Sequence, residues 1–169
     1  MVEVGVMRSA AEREFTDYVR ARSGPLLRTA WYLCGDPVLA EELVQEALTR
    51  LYVRWPRLTR DGRPVEPYVH RVLVNLHIDE TRRRRRETSV GQAPDVPARS
   101  SRAEHVDVVR ALAALPPRQR QVVVLRHLAD LPEREVADIL GVSLGAVKSA
   151  ASDGRRTLRT ALGGDHVHS

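Results

Sequence analysis

At 169 residues the chain has room for one domain or two small ones, whose thin cores favour helical bundles over large sheets. A net charge of +5 and a pI near 10.1 favour a polyanionic partner. The single cysteine, Cys34, excludes an intrachain disulfide and a cysteine-rich zinc site, and it reads as a small apolar residue on a helix.

The first helical stretch runs from Ala10 to about Cys34, with Phe15, Tyr18, Val19, Leu26, Leu27, Ala30, Trp31 and Cys34 on its core side. Gly24-Pro25 predicts a kink or break within it. Gly35 closes it, and Asp36-Pro37 opens the next helix as cap and first residue. That helix, Pro37 to Trp55, carries a broad apolar stripe of Leu39, Leu43, Val44, Ala47, Leu48, Leu51, Tyr52 and Trp55. Its other face shows Glu41, Glu42, Gln45, Glu46, Thr49, Arg50 and Arg54. Such a face is either plainly solvated or, on a basic protein, a contact to something other than nucleic acid.

Pro56 is expected to end the helix, leaving Arg57 to Pro67 as a loop that turns at Asp61-Gly62. A further helix starts near Glu66, as EPYVHRVLVNLHIDETRRRRR, and buries Tyr68, Val69, Val72, Leu73, Leu76 and Ile78. Asn75, Asp79, Arg82, Arg83 and Arg86 recur at steps of 3 or 4 along a different face. The run Arg82 to Arg86 is five consecutive arginines, whose mutual repulsion a bound polyanion relieves. That points to nucleic acid.

Residues 87–103 hold prolines, serines and a glycine but no aromatic, the composition of a flexible linker. Beyond it a helix is expected over Glu104 to Leu115, then a Pro116-Pro117 break. The next helix, Arg118 to about Ala129, offers Val122, Val123, Leu125 and Leu128 for packing. Asp130 and Glu133 read as a capping box, and Val136, Ala137, Ile139 and Leu140 as the apolar face of a short helix. Gly141 suits a left-handed turn, and Ser143 suits the cap of the helix that follows. In that last helix Leu144, Val147, Ala151 and Leu158 face inward, leaving Lys148, Ser149, Ser152, Asp153, Arg155 and Arg156 outward. Those are groups suited to phosphates and base edges, so Asp130 to Arg159 reads as a helix-turn-helix. The tail GGDHVHS is expected to be disordered.

Catalysis finds no support: there is no Gly-rich phosphate loop and no pairing of nucleophile with base, and no cofactor is expected. His70 and His77 lie 7 residues apart near Asp79, but no third ligand stands at metal spacing. The opening MVEVGVMRSAAERE lacks the apolar run of a signal peptide, and no stretch reaches membrane-spanning length, so a cytoplasmic protein without membrane contact is expected.

Three blocks, GDPVLAEELVQEALTRLYVRW, EPYVHRVLVNLHIDETRRRRR and LAALPPRQRQVVVLRHLADLPEREVADILGVSLGAVKS, occur in this order around the linker. In them the chain resembles a bacterial alternative sigma factor of the extracytoplasmic-function (ECF) type, and is similar to the short actinobacterial SigE-like branch. The resemblance implies an all-α protein of two small domains. A sigma-two domain would span 10–86, a flexible linker 87–103, and a sigma-four domain with the helix-turn-helix 104–162. It implies core RNA polymerase and promoter DNA as partners, and leaves room for an anti-sigma factor. Glu42, Gln45, Glu46 and Arg50 would meet the clamp helices of the largest polymerase subunit. Asn75, Asp79, Arg82 and Arg83 would act in melting, and the loop with Asp61 and Gly62 would hold a flipped minus-ten base. Lys148, Ser149, Ser152, Arg155 and Arg156 would read the minus-thirty-five element, where Asp153 also stands, with Arg118, Arg120 and Arg126 on phosphates.

Three departures bear on that. No aromatic follows Tyr68, so single strands must be held by polar groups more than by stacking. Ala150 and Asp153 stand where the family commonly has arginine, and no extension is expected after the second domain. The rival is a stand-alone helix-turn-helix regulator with an N-terminal dimerisation domain, which leaves the acidic helix and the arginine run without a task.

Overall fold

The computed structural model describes residues 2–87 and 103–163, with side chains from residue 9 in the first segment and residue 105 in the second. All secondary structure among them is helical. In order these are α1 (Val2–Cys34), α2 (Pro37–Arg60), α3 (Val65–Glu87), α4 (Ala103–Ala113), α5 (Pro117–Val123), α6 (Glu133–Leu140) and α7 (Leu144–Gly163). A π-helical turn, Val124–Leu128, prolongs α5. The expected linker lies outside the described residues except for its two ends, which are helical. The glycine-rich tail lies outside them from residue 164.

Local chemistry accounts for several boundaries. Asp36 caps α2, its Oδ1 accepting from the backbone N–H groups of Val38 (2.9 Å) and Leu39 (3.4 Å), with Pro37 in the first turn. The chain reverses at Asp61-Gly62, where Gly62 has φ +63°. In the helix-turn-helix, Gly141 takes φ +65°, and the Ser143 hydroxyl accepts from Ala146 N–H at 3.1 Å.

Other boundaries differ from expectation. Pro25 neither breaks nor ends α1, and Pro56 lies inside α2, which continues for a further turn to Arg60. Pro56 is on the exposed side, where water can serve the Tyr52 carbonyl that its missing N–H leaves over, and buried Leu58 anchors the added turn. Asp130 is not the cap of α6: it sits at φ +56° behind the π-turn, and Pro132 begins the helix with no side-chain cap. The π-turn explains this, because Ala129 N–H reaches Val124 O (2.8 Å) and Leu131 N–H reaches Leu125 O (3.0 Å), wrapping the chain end around Asp130. Leu128, expected in the core, is 44% exposed.

Two apolar clusters hold the helices. One joins α1, α2 and α3 through Leu26, Ala30, Leu43, Ala47, Leu51, Val69 and Leu73. Phe15 and Tyr18 pack on Trp55 at ring distances of 5.4 and 5.3 Å. The other cluster surrounds Gln121 to Leu125, the end of α5 and the start of the π-turn, which are all buried. No single helix face could hide five consecutive residues, so this stretch is enclosed on all sides. Gly154 makes this possible on the α7 side, since a Cβ there would meet Val123 Cγ2 at 2.6 Å.

The second cluster also takes in Tyr32, Leu33 and Val74 from α1 and α3, so the N- and C-terminal helices pack against each other. Two polar contacts mark this junction. The Tyr32 hydroxyl lies 2.6 Å from His105 Nδ1. Arg120 Nη1 donates to Leu33 O at 3.4 Å.

Candidate promoter and polymerase interfaces

In α7 the buried line is Val147, Ala151 and Gly154, and the opposite side presents Lys148, Ser149, Ser152, Arg155 and Arg156, all exposed. Asp153 is half-exposed, and its Oδ1 is 3.8 Å from Arg156 Nη1. That pair is too long for a hydrogen bond but close enough to offset charge. It favours local pairing over base contact as the role of Asp153. Asp153→Ala is therefore expected to tighten non-specific DNA binding while sequence preference survives at every upstream position. A selection on randomised upstream elements at two salt concentrations measures both.

The other arginines assigned to this surface separate. Arg118 is exposed and reaches Gln121 Oε1 (3.4 Å) and Leu140 O (3.5 Å), beside the tight turn. Arg126 is partly exposed in the π-turn. Arg120 corrects its assignment to phosphates. Its guanidinium donates to Leu112 O (3.0 Å), Leu115 O (3.2 Å), Leu33 O (3.4 Å) and Ala113 O (3.5 Å). Those carbonyls lie at or just beyond the ends of α1 and α4, where the cation spends its donors.

On α3, Asn75, Asp79 and Arg82 are exposed in one line. Arg83 turns away from it. Its Nη2 and Nε lie 2.6 and 3.0 Å from the two oxygens of Glu80, and its Nη1 is 3.0 Å from Glu87. Arg84 Nε also binds Glu80, at 2.9 Å. Hydrogen bonds from Arg83 and then Arg84 bring the Glu80 carboxyl down to about 2. Asp61 and Gly62 are exposed at the preceding turn, with Asp61 Oδ1 3.6 Å from Arg60 Nε. The far side of that loop is fixed by Glu66, which accepts from Tyr18 Oη (2.8 Å) and from Arg22 Nε and Nη2 (3.0 and 3.1 Å). His70 Nδ1–H donates to Glu66 O at 2.8 Å, and burial lowers its pKa.

Glu42, Gln45, Glu46 and Arg50 are all exposed on α2, with Arg50 Nε 2.9 Å from Glu46 Oε1. Glu42, Glu46 and Arg50 share a groove with Asp79, Glu80 and Arg83 of α3. The surface assigned to polymerase and the surface assigned to melting are therefore contiguous.

Sequence reasoning passed over Glu80 and Gly154. The i,i+3 and i,i+4 spacing of Glu80 to Arg83 and Arg84 was a usable signal, as was a glycine in mid-helix. His77, weighed only as a metal ligand, is buried.

The sigma-70 region 2 model matches residues 18–87 and the sigma-70 region 4 model matches residues 105–158. The chain belongs to the sigma-70 family. The sigma-E factor of RNA polymerase from Streptomyces coelicolor is 39% identical, over 88% of this chain and 86% of its own. The ECF sigma factor SigE of Mycolicibacterium smegmatis is 33% identical, over 90% of this chain and 63% of its own. The sigma factor RpoE of Bartonella quintana, solved with the anti-sigma factor NepR, superposes with a TM-score of 0.74 at 23% identity, covering 91% of this chain and 99% of its own. CnrH, solved with the cytosolic domain of CnrY, gives 0.71 at 23%, covering 94% and 95%. These two speak for the fold. The chain is thus an alternative sigma factor of the SigE-like ECF branch, directing transcription initiation. That sets aside the stand-alone regulator. Among the described residues no helix is long and apolar enough to cross a membrane.

Proposed function

We propose that this sigma factor divides promoter recognition between residues 10–86, as the sigma-two domain, and residues 104–162, as the sigma-four domain, tethered by residues 87–103. It acts by binding and not by catalysis, in the cytoplasm where polymerase works. The α2 face of Glu42, Gln45, Glu46 and Arg50 docks on the clamp helices of the largest polymerase subunit. Asn75, Asp79 and Arg82 meet the melted minus-ten strand, with Asp61 and Gly62 at the flipped base. Lys148, Ser149, Ser152, Arg155 and Arg156 read the minus-thirty-five element, with Arg118 and Arg126 on phosphates. The observation that carries this reading is the outward exposure of all five α7 groups opposite a buried line that fixes the helix's rotation.

Run-off transcription with purified core polymerase tests the function, and Glu46→Arg tests the docking face. Glu46 is exposed, so the reversal is expected to change stability by under about 0.5 kcal/mol while core affinity falls and transcripts diminish. Undiminished core affinity in that variant would remove α2 from the interface.

A further inference from the structure

We infer that the recess between α1, α3 and the π-turn is a binding site for a small zwitterion of the amino-acid class. It shares no residue with the surfaces proposed for polymerase and promoter, and it rests on neither.

A cavity of about 190 Å³ opens there. That is room for about six waters, well below the ~300 Å³ at which pockets begin to take drug-sized ligands. Two polar side chains in its lining are buried, His70 at 1% and Thr29 at 4% exposure. The Thr29 hydroxyl donates to Pro25 O at 3.0 Å and keeps its lone pairs. His70 donates from Nδ1 to Glu66 O, and burial lowers its pKa, so at neutral pH its Nε2 carries a lone pair. That nitrogen accepts from no group among the described residues, yet it is not sealed from solvent, so what it faces is the cavity. A buried acceptor placed in this way is served by a donor from outside the chain.

The charged groups decide what sort of molecule brings that donor. Arg22 spends Nε and Nη2 on Glu66, which offsets its charge and leaves Nη1. Arg28 of α1 and Asp130 beyond the π-turn are both exposed in the lining, and neither has a partner among the described residues. They line one cavity and still do not pair with each other. The wall is therefore neutral overall, with one open cation and one open carboxylate. An anion would gain from Arg28 and be repelled by Asp130, and a cation would meet the reverse. A zwitterion gains from both. Its carboxylate takes donors from Arg28 and Arg22 Nη1, and its ammonium serves Asp130 and His70 Nε2. Pro25, Ala129 and Leu128, the last 44% exposed, offer an apolar patch for a small side chain.

The walls come from both halves of the chain, α1 and α3 on one side and residues 128–130 on the other. A bound molecule touches both, and so favours the packed arrangement over any in which the halves part.

The full chain is titrated by calorimetry with each of the standard L-amino acids in turn, at millimolar concentration. At least one small member is expected to bind and to raise the melting temperature. The matching acid without the amino group, and the matching amine without the carboxyl, should each bind at least about tenfold more weakly, for want of one charge-assisted contact. Arg28→Gln and Asp130→Asn, at exposed positions, should each lower affinity about tenfold to a hundredfold. Asparagine tolerates the left-handed backbone of residue 130, at φ +56°, and circular dichroism establishes that both variants are folded. In wild type the NMR signal of His70 Nε2 should move on binding. Affinity that falls only in Arg28→Gln, with the acid bound as well as the amino acid, makes this an anion site and overturns the zwitterion. Affinity unchanged in both variants, or an unmoved His70 signal, places the binding elsewhere. No binding by any amino acid overturns the site itself.

Discussion

Lowering the pH from 7 to 5 is expected to cost the protein about 2 kcal/mol of stability through His77 alone, reaching about 3 kcal/mol near pH 4. The ring is 8% exposed at the junction of α3 with the C-terminal helices, and its Nδ1 has no hydrogen-bond partner among the described residues. Burial, and then the charge of Arg120, bring its pKa down to about 4 from an ordinary 6.5. The unfolded chain therefore takes up a proton as pH falls through 6.5, whereas the folded chain resists until about 4. Stability is lost over that window, and below it this group adds nothing further. His70, also lowered by burial, acts in the same direction. Glu80 contributes only below the ordinary carboxylate range, since its pKa is held near 2. Urea unfolding at pH 7 and pH 5 isolates the histidines. His77→Leu should remove about 2 kcal/mol of the pH dependence and leave stability at pH 7 little changed, because an unpaired buried nitrogen is lost with the ring. An unaltered pH dependence would mean that His77 is solvated.

What could be read from the residues was what neighbours in sequence decide. Asp36 caps α2 with its own side chain, Gly141 needs only its own φ, and Ser143 serves an N–H three residues on. The outward groups of α7 follow from the spacing of Val147 and Ala151. Elements decided at a distance were misread. Pro56 looks like a terminator until buried Leu58 gives the chain a reason to continue helically beyond it. Asp130 and Glu133 have capping-box spacing, but the π-turn places Asp130 outside the helix. Glu80 lay within reach of local reasoning. A run of like charges draws the eye to its repulsion and away from the acid one turn before it.

Arg120 shows the same limit most sharply, and its removal is the other large effect expected. The family resemblance implies a phosphate contact at Arg120. In the fold it bonds three carbonyls in and just after α4, Leu112, Ala113 and Leu115, and one, Leu33, in α1. Arg120→Ala leaves these acceptors without their charged donor and is expected to cost about 2 kcal/mol, a figure set toward the lower end for charge-assisted bonds because the site is only partly buried. Arg120→Lys should recover little of it, since an ammonium cannot span carbonyls that a planar fork reaches together. The α4 acceptors lie in the same half as Arg120, so that hold persists whether or not the two halves part on promoter DNA. The isolated upstream element should accordingly bind Arg120→Ala with an unchanged salt slope, whereas Arg118→Ala, at an exposed site, should lower the slope by about 0.9. A comparable fall with Arg120→Ala would return this residue to the DNA. The two junction residues are also coupled, because the Arg120 charge depresses the His77 pKa. In Arg120→Ala the acid-induced loss of stability should therefore shrink, its lower limit moving toward neutral pH, and a ring-proton NMR titration of His77 reads that shift directly.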